Sequence, residues 1–290
     1  LHPLKAGLPD NNIQMKTILI PTDFSEIADN AISYALEFSK LTQSRIILFH
    51  AYHMPIVTTE VPVMIPTQNE LETDSLEALN KVKQRLISGG NNVEIDCVAR
   101  YGLAVDEIEA YANENSVDMI VMGMRGGGVI GEKLIGSVTT AMMGKVKCPV
   151  LVIDSHIKYR RISKIVLASD LKETHNSEVL APLKELAKLL NASVHVLNVV
   201  REPAELVPTT EEAIVGVKLE HSLEDVEHSF HYAENDDVVD GINEYVDRNE
   251  IDLVAMIPRV HSIFRNIFQE PHTKRMAFHS HVPLLILNHD

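Results

Sequence analysis

The chain has 290 residues, enough for two domains of ordinary size, and a hydrophobic fraction of 45% supplies real cores. A formal net charge of -15 opposes nucleic acid or an anionic membrane surface as partner, and no apolar run reaches membrane-spanning length or forms a signal-peptide core before the first strand. Two cysteines, Cys97 and Cys148, provide neither a disulfide framework nor a zinc tetrad, which points to a reduced cytoplasm.

Residues 1–14 are polar, proline-containing and patternless, and are set aside as disordered or extraneous; Met15 could be the native start. Residues 16–22 form a β-rich strand ending in Pro21-Thr22-Asp23. A helix follows over 25–40, with Ile27, Ala28, Ala31, Ile32, Ala35, Leu36 and Phe38 on one face. The second strand is 45–51. Residues 52–68 hold three prolines, and so long a loop in a compact domain is usually functional or mobile. Helix 69–88, a turn at 89–92, strand 93–100 and helix 103–115 come next. Residues 117–122 are a short apolar run that reads as a buried strand.

A glycine-rich segment, 123–137, then joins that strand to a helix expected over 138–146. Strand end to helix start is where open parallel sheets bind ligands. Glycines permit close backbone approach, Ser137 can cap the helix, and the first helical amides suit a phosphate. The spacing is Gly123, two residues, Gly126, nine residues, Gly136-Ser137. This is neither the dinucleotide fingerprint nor the lysine-containing phosphate loop. A fifth strand, 150–153, follows Pro149. Alternation of strand and helix demands a parallel sheet covered by helices on both faces.

The chain then repeats itself. Residues 164–170 echo 17–23, 193–199 echo 45–51, 249–256 echo 115–122, and 282–287 echo 148–153. Residues 156–161 form the join between a first domain, 15–155, and a second, 162–290. The glycine spacing and this duplication resemble the universal stress protein family, in a tandem two-domain form. The resemblance implies two α/β domains, each a five-stranded parallel sheet of Rossmann or flavodoxin-like type with strand order 3-2-1-4-5. It further implies an ATP site in the first half. Pro21, Thr22 and Asp23 would stand at the nucleoside, and the Ala51 backbone at adenine. Met122 and Gly123 would line the ribose and α-phosphate, with Arg125 neutralising charge. Gly126, Gly136, Ser137 and Val138, with Thr139 as a weaker candidate, would meet the outer phosphates. Magnesium would arrive on the triphosphate, with no separate metal cage in the protein. Asp23 has a competing reading as the cap of the helix that follows it.

The second half lacks the glycines. Aligned on Pro283, Ile257 replaces Gly123, Val260 Gly126, Glu270 Gly136 and Pro271 Ser137, while Arg259 and Asp170 survive. No ATP binding of the same kind is expected there. The histidines 272, 279, 281 and 289 read as surface or capping groups, and Cys148 as a buried, inert thiol. The run from Glu234 to Asp237 reads as the cap of a helix beginning at Val238. The two fifth strands are apolar sheet edges that invite pairing, so the halves are expected to form an intrachain pseudo-dimer; a further homodimer stays open. No general base or nucleophile sits beside the glycine segment in a recognisable pattern. An ATP-holding stress-response or signalling module is therefore favoured over a slow ATPase or nucleotide-dependent transferase, and over a nucleotide-free interaction protein.

Overall fold

The computed structural model describes residues 15–54, 66–124, 136–171, 177–201, 209–258 and 281–288. The first half comprises β1 (Thr17–Pro21), α1 (Glu26–Thr42), β2 (Arg45–Tyr52), α2 (Gln68–Ser88), β3 (Ile95–Tyr101), α3 (Ala104–Glu114), β4 (Met119–Gly123), α4 (Ser137–Met142) and β5 (Val150–Ile153). The second comprises β6 (Lys164–Ala168), α5 (Ser177–Leu190), β7 (Ser193–Val200), α6 (Thr210–Leu223), β8 (His228–Glu234), α7 (Val238–Asn249), β9 (Leu253–Met256) and β10 (Leu284–Ile286).

Local chemistry sets the helix starts. Ser25 caps α1, its hydroxyl accepting from the Ala28 amide at 3.3 Å. Thr67-x-x-Glu70 and Thr209-x-x-Glu212 form reciprocal capping boxes on α2 and α6. Asp237 caps α7 through the Val239 and Asp240 amides, as the acidic run implied. One helix is shorter than its sequence suggests. α4 stops at Met142, and Gly144 follows in the left-handed region with φ +83. Val146, which prolonged the apolar pattern, is buried at 2% exposure without being helical.

Within each half the strands run parallel, in the orders β3-β2-β1-β4-β5 and β8-β7-β6-β9-β10. β5 and β10 pair antiparallel, with Leu284 opposite Val152, Leu285 opposite Leu151 and Ile286 opposite Val150. The result is one ten-stranded sheet among the described residues. The antiparallel seam places the carboxyl ends of the two halves' strands on opposite edges.

Side chains alternate across this sheet. Ile18 and Ile20 face a core built with α1, α2, α5 and α6; Leu19 faces another built with α3, α4 and α7. Each core runs through both halves. Burial on both faces explains why strands such as Val150–Ile153 are wholly apolar.

The join between the halves is packed. The Asn30 side-chain amide donates to the carbonyls of Asp154 and Ile157 at 2.9 and 3.0 Å, and Lys158 Nζ donates to Asn30 Oδ1 at 2.7 Å. Tyr159 meets Tyr34 edge-on at 5.2 Å, and Arg160 donates to the Ile251 carbonyl at 2.9 Å. Buried Asn288 reaches from the second half to the first, accepting from the Gly144 amide at 2.8 Å and donating to the Cys148 carbonyl at 3.1 Å.

Candidate functional site

In an open parallel sheet the ligand crevice lies where strand order reverses. In the first half this is the carboxyl edge between β1 and β4. β1 pairs with β4 through Ile18–Met119 and Leu19–Ile120, a register that, continued, sets Thr22 level with Gly123.

On the β1 side the Thr22 amide donates to the Phe49 carbonyl at 2.8 Å. The Thr22 hydroxyl accepts from the Phe24 amide at 2.9 Å, and Phe24 sits at φ 63. A bulky residue at positive φ is uncommon. Here it is held by that bond and by ring contact with His50 at 4.6 Å. His50 Nδ1 in turn lies 2.7 Å from the Thr22 carbonyl. Asp23 is exposed at the tip, with Oδ1 accepting from the Ser25 amide at 3.1 Å. Ser25 fills the cap position, so Asp23 shapes the turn before the helix instead of capping it. Ala51, half-buried near the end of β2, pairs with Arg100 of β3.

On the β4 side Met122 is buried and Gly123 half-buried. The Met124 amide donates to the Ile153 carbonyl at 2.9 Å, and the Gly136 amide donates to the Met124 carbonyl at 2.6 Å. The two ends of the glycine segment are therefore joined. Buried Thr139 donates its hydroxyl proton to the Gly123 carbonyl at 2.9 Å, which fastens α4 to the end of β4. Gly136, not Ser137, occupies the N-cap position, and the cap carries no side-chain bond because glycine has no side chain. Ser137 is the first helical residue and is exposed; Val138 is half-buried. Pro21, Thr22, Asp23, Ala51, Met122 and Gly123 thus stand at the carboxyl ends of β1, β2 and β4, and the Gly136 amide and Thr139 hydroxyl bond to the end of β4. Arg125 and Gly126 lie outside the described residues. Phe24 and His50, which sequence reasoning missed, brace the turn that presents Asp23. The left-handed turn that unites them leaves no pattern in the sequence.

Burial pushes the Cys148 thiol up to about 12, in keeping with an inert group. His281 is exposed; His272, His279 and His289 lie outside the described residues. No helix among the described residues is long and apolar enough to cross a membrane.

A model of the universal stress protein family matches residues 15–154 and, a second time, residues 161–288. The chain belongs to the universal stress protein family. A universal stress protein of Methanocaldococcus jannaschii is 28% identical over 158 residues, spanning 49% of this chain and 96% of that protein. One from Synechocystis is 32% identical over 143 residues, spanning 49% of this chain and 87% of that protein. Both therefore match one half's length. The crystal structure of a universal stress protein from Archaeoglobus fulgidus superposes on both halves together, with a TM-score of 0.67 over 95% of this chain and 97% of that one; at 18% identity it speaks for the fold alone.

The second universal stress protein unit rebuilds the β1 turn. The Ser169 amide donates to the Leu197 carbonyl at 2.9 Å, the Ser169 hydroxyl accepts from the Leu171 amide at 3.2 Å, and Leu171 sits at φ 52. At the end of β9, the counterpart of β4, the residue differs. Ile257 stands at the Gly123 position and is buried in the core at 5% exposure. Arg259, Val260, Glu270 and Pro271 lie outside the described residues.

Proposed function

We propose that the first half of this universal stress protein binds ATP, carrying magnesium on the triphosphate, and acts as a nucleotide-dependent stress-response or signalling module of the cytoplasm. What supports this reading is the placement of Asp23 and Ala51 just past and near the carboxyl ends of β1 and β2, beside β4, to whose end the 123–137 segment returns. The fit is chemical as well as positional. An exposed carboxylate suits nucleoside hydroxyl or amino donors. Glycine backbone admits phosphate closely. Asp23, with Pro21 and Thr22 behind it, receives the nucleoside, and the Ala51 backbone receives adenine. Met122 and Gly123 line the ribose and first phosphate. Arg125, Gly126, Gly136, Ser137 and Val138 receive the outer phosphates, while Thr139 holds α4 in place. The second half serves as the other member of an intrachain pseudo-dimer.

Calorimetric titration of the full chain with magnesium ATP tests the reading. Saturation near one ATP per chain, abolished by Gly126→Val, is expected. A stoichiometry near two, or unchanged affinity in the variant, refutes it. Steady-state phosphate release separates holding from hydrolysis: a rate no greater than that of Gly126→Val supports a binding module, and a rate the variant loses marks an ATPase.

A further inference from the structure

The two halves differ beneath the helix that follows their third strand. Phe49 and Leu197 hold equivalent places, each accepting from the amide that ends the half's first strand. Two residues earlier, Ile47 corresponds to His195. Phe49 pairs with Val98 and Leu197 with His231, so Val98 corresponds to His231. Tyr111 and Tyr245 also correspond, each accepting through its carbonyl from the asparagine four residues on, at 2.9 Å. The first half thus packs an aliphatic pair under α3, and the second places two imidazoles under α7.

Those imidazoles stack with centroids 4.8 Å apart and planes 18° from parallel. His195 Nδ1 lies 2.8 Å from the Tyr245 hydroxyl, and His231 Nε2 lies 2.7 Å from Ser229 Oγ. The Tyr245 ring is 5.3 Å from that of His231. The titratable groups acting on the pair are Lys164 on β6, Glu227 just before β8 and Tyr245 on α7. Lys164 also donates to the Asn249 carbonyl at the end of α7, at 2.9 Å. A proton added to either ring is half-buried. A proton on both sets two like charges face to face, with a lysine adding to the repulsion and one glutamate opposing it.

We propose that His195, His231 and Tyr245 form a proton-sensitive joint that releases α7 from the second half's sheet as pH falls below neutral, while α3 in the first half stays docked.

Burial foremost, then His231 and Lys164, lower the His195 value, and burial lowers that of His231. With folded values depressed below about 6.5, the opened form binds more protons. The docking free energy is therefore fully present above about pH 6.5 and is lost as pH falls toward the folded values. Each histidine changes the opening constant by at most about tenfold per pH unit across that window.

Hydrogen exchange of the full chain, corrected for intrinsic rates, between about pH 7.5 and about pH 5.5 tests this. Protection in α7 should fall, by no more than about tenfold for each histidine per pH unit, while α3 holds. The double variant His195→Ile/His231→Val, which copies the first half, should lose the difference. Parallel changes in α3 and α7, or a difference that survives in the double variant, overturn the proposal. If the double variant does not fold, imidazole proton titration by NMR in the unmodified chain decides. Values below about 6.5 for both rings support the joint, and a value at or above it for either ring overturns it.

Discussion

Replacing Leu285 by alanine should destabilise both halves together. Leu285 is fully buried opposite Leu151 in the three-residue pairing that joins β5 to β10, and both side chains belong to a core shared by α1, α2, α5 and α6. Losing the transfer free energy of a buried leucine costs about 1.5–3 kcal/mol. The cavity left behind raises this to about 2–5 kcal/mol. β5 and β9 hold the β10 backbone on both sides, so the upper part of that range is expected. At a urea slope of about 3 kcal/mol/M the midpoint falls by on the order of 1 M. Far-ultraviolet dichroism and tyrosine fluorescence should report one coincident transition, because neither core ends at the seam. Leu151→Ala should behave alike, and the double variant should cost less than the two added, since the residues touch. Two separate transitions, with Leu285→Ala moving only one, would refute the claim that the halves form a single cooperative body.

Gly241→Ala in α7 should cost about 1–3 kcal/mol by overpacking, because an added Cβ would fall 2.6 Å from Val199 Cγ1 and 3.0 Å from Asn235 Cβ; a melting temperature at or above that of the unmodified chain contradicts this. Asp225 sits between Lys184 and Lys188 of α5; burial alone would raise its carboxyl, but hydrogen bonds and charge from the two lysines bring it down to about 2. Its contribution is therefore present above the unfolded value, lost as pH falls through about 2, and small, no more than about 1 kcal/mol, because 40% of the side chain meets solvent. Carbon NMR should follow this titration, and Lys184→Ala/Lys188→Ala should restore an ordinary carboxylate value. Cys148, pushed up to about 12, should alkylate about a thousandfold more slowly than an ordinary thiol at neutral pH, so labelling at a free-thiol rate would show the burial to be wrong.

The central strands were legible because β4 and β5, for example, are buried on both faces and their sequences are short apolar runs. The resemblance to the family made strand order 3-2-1-4-5 an expectation for both halves, and the sheet follows it. Glycine spacing located one wall of the candidate site, and Pro21-Thr22-Asp23 the other. What escaped depends on bonds between residues far apart in the chain. Asn30 and Asn288 look like ordinary polar residues until the fold carries each to the junction. His50 and Phe24 meet only through a left-handed turn. Val146 misled the reading of α4 because burial and helical periodicity both demand an apolar residue, and only burial applied. The paired histidines sit on neighbouring strands, where spacing along the chain carries no sign of stacking.

The polarity of the seam also decides how little chain is needed to connect the halves. β5 leaves the sheet on the same edge at which β6 enters, because β10 and β9 between them run against β5. The passage is sideways across three strand spacings, about 14 Å. The ten residues from Asp154 to Ser163 can span about 33 Å when extended. The slack is what lets Ile157 and Tyr159 fold down against α1. A parallel seam would have sent the connection the full length of a strand and left nothing over for packing. The tether keeps each half at a high local concentration of the other. A protease cut within it would turn the seam into an ordinary bimolecular contact, held only as long as dilution allowed.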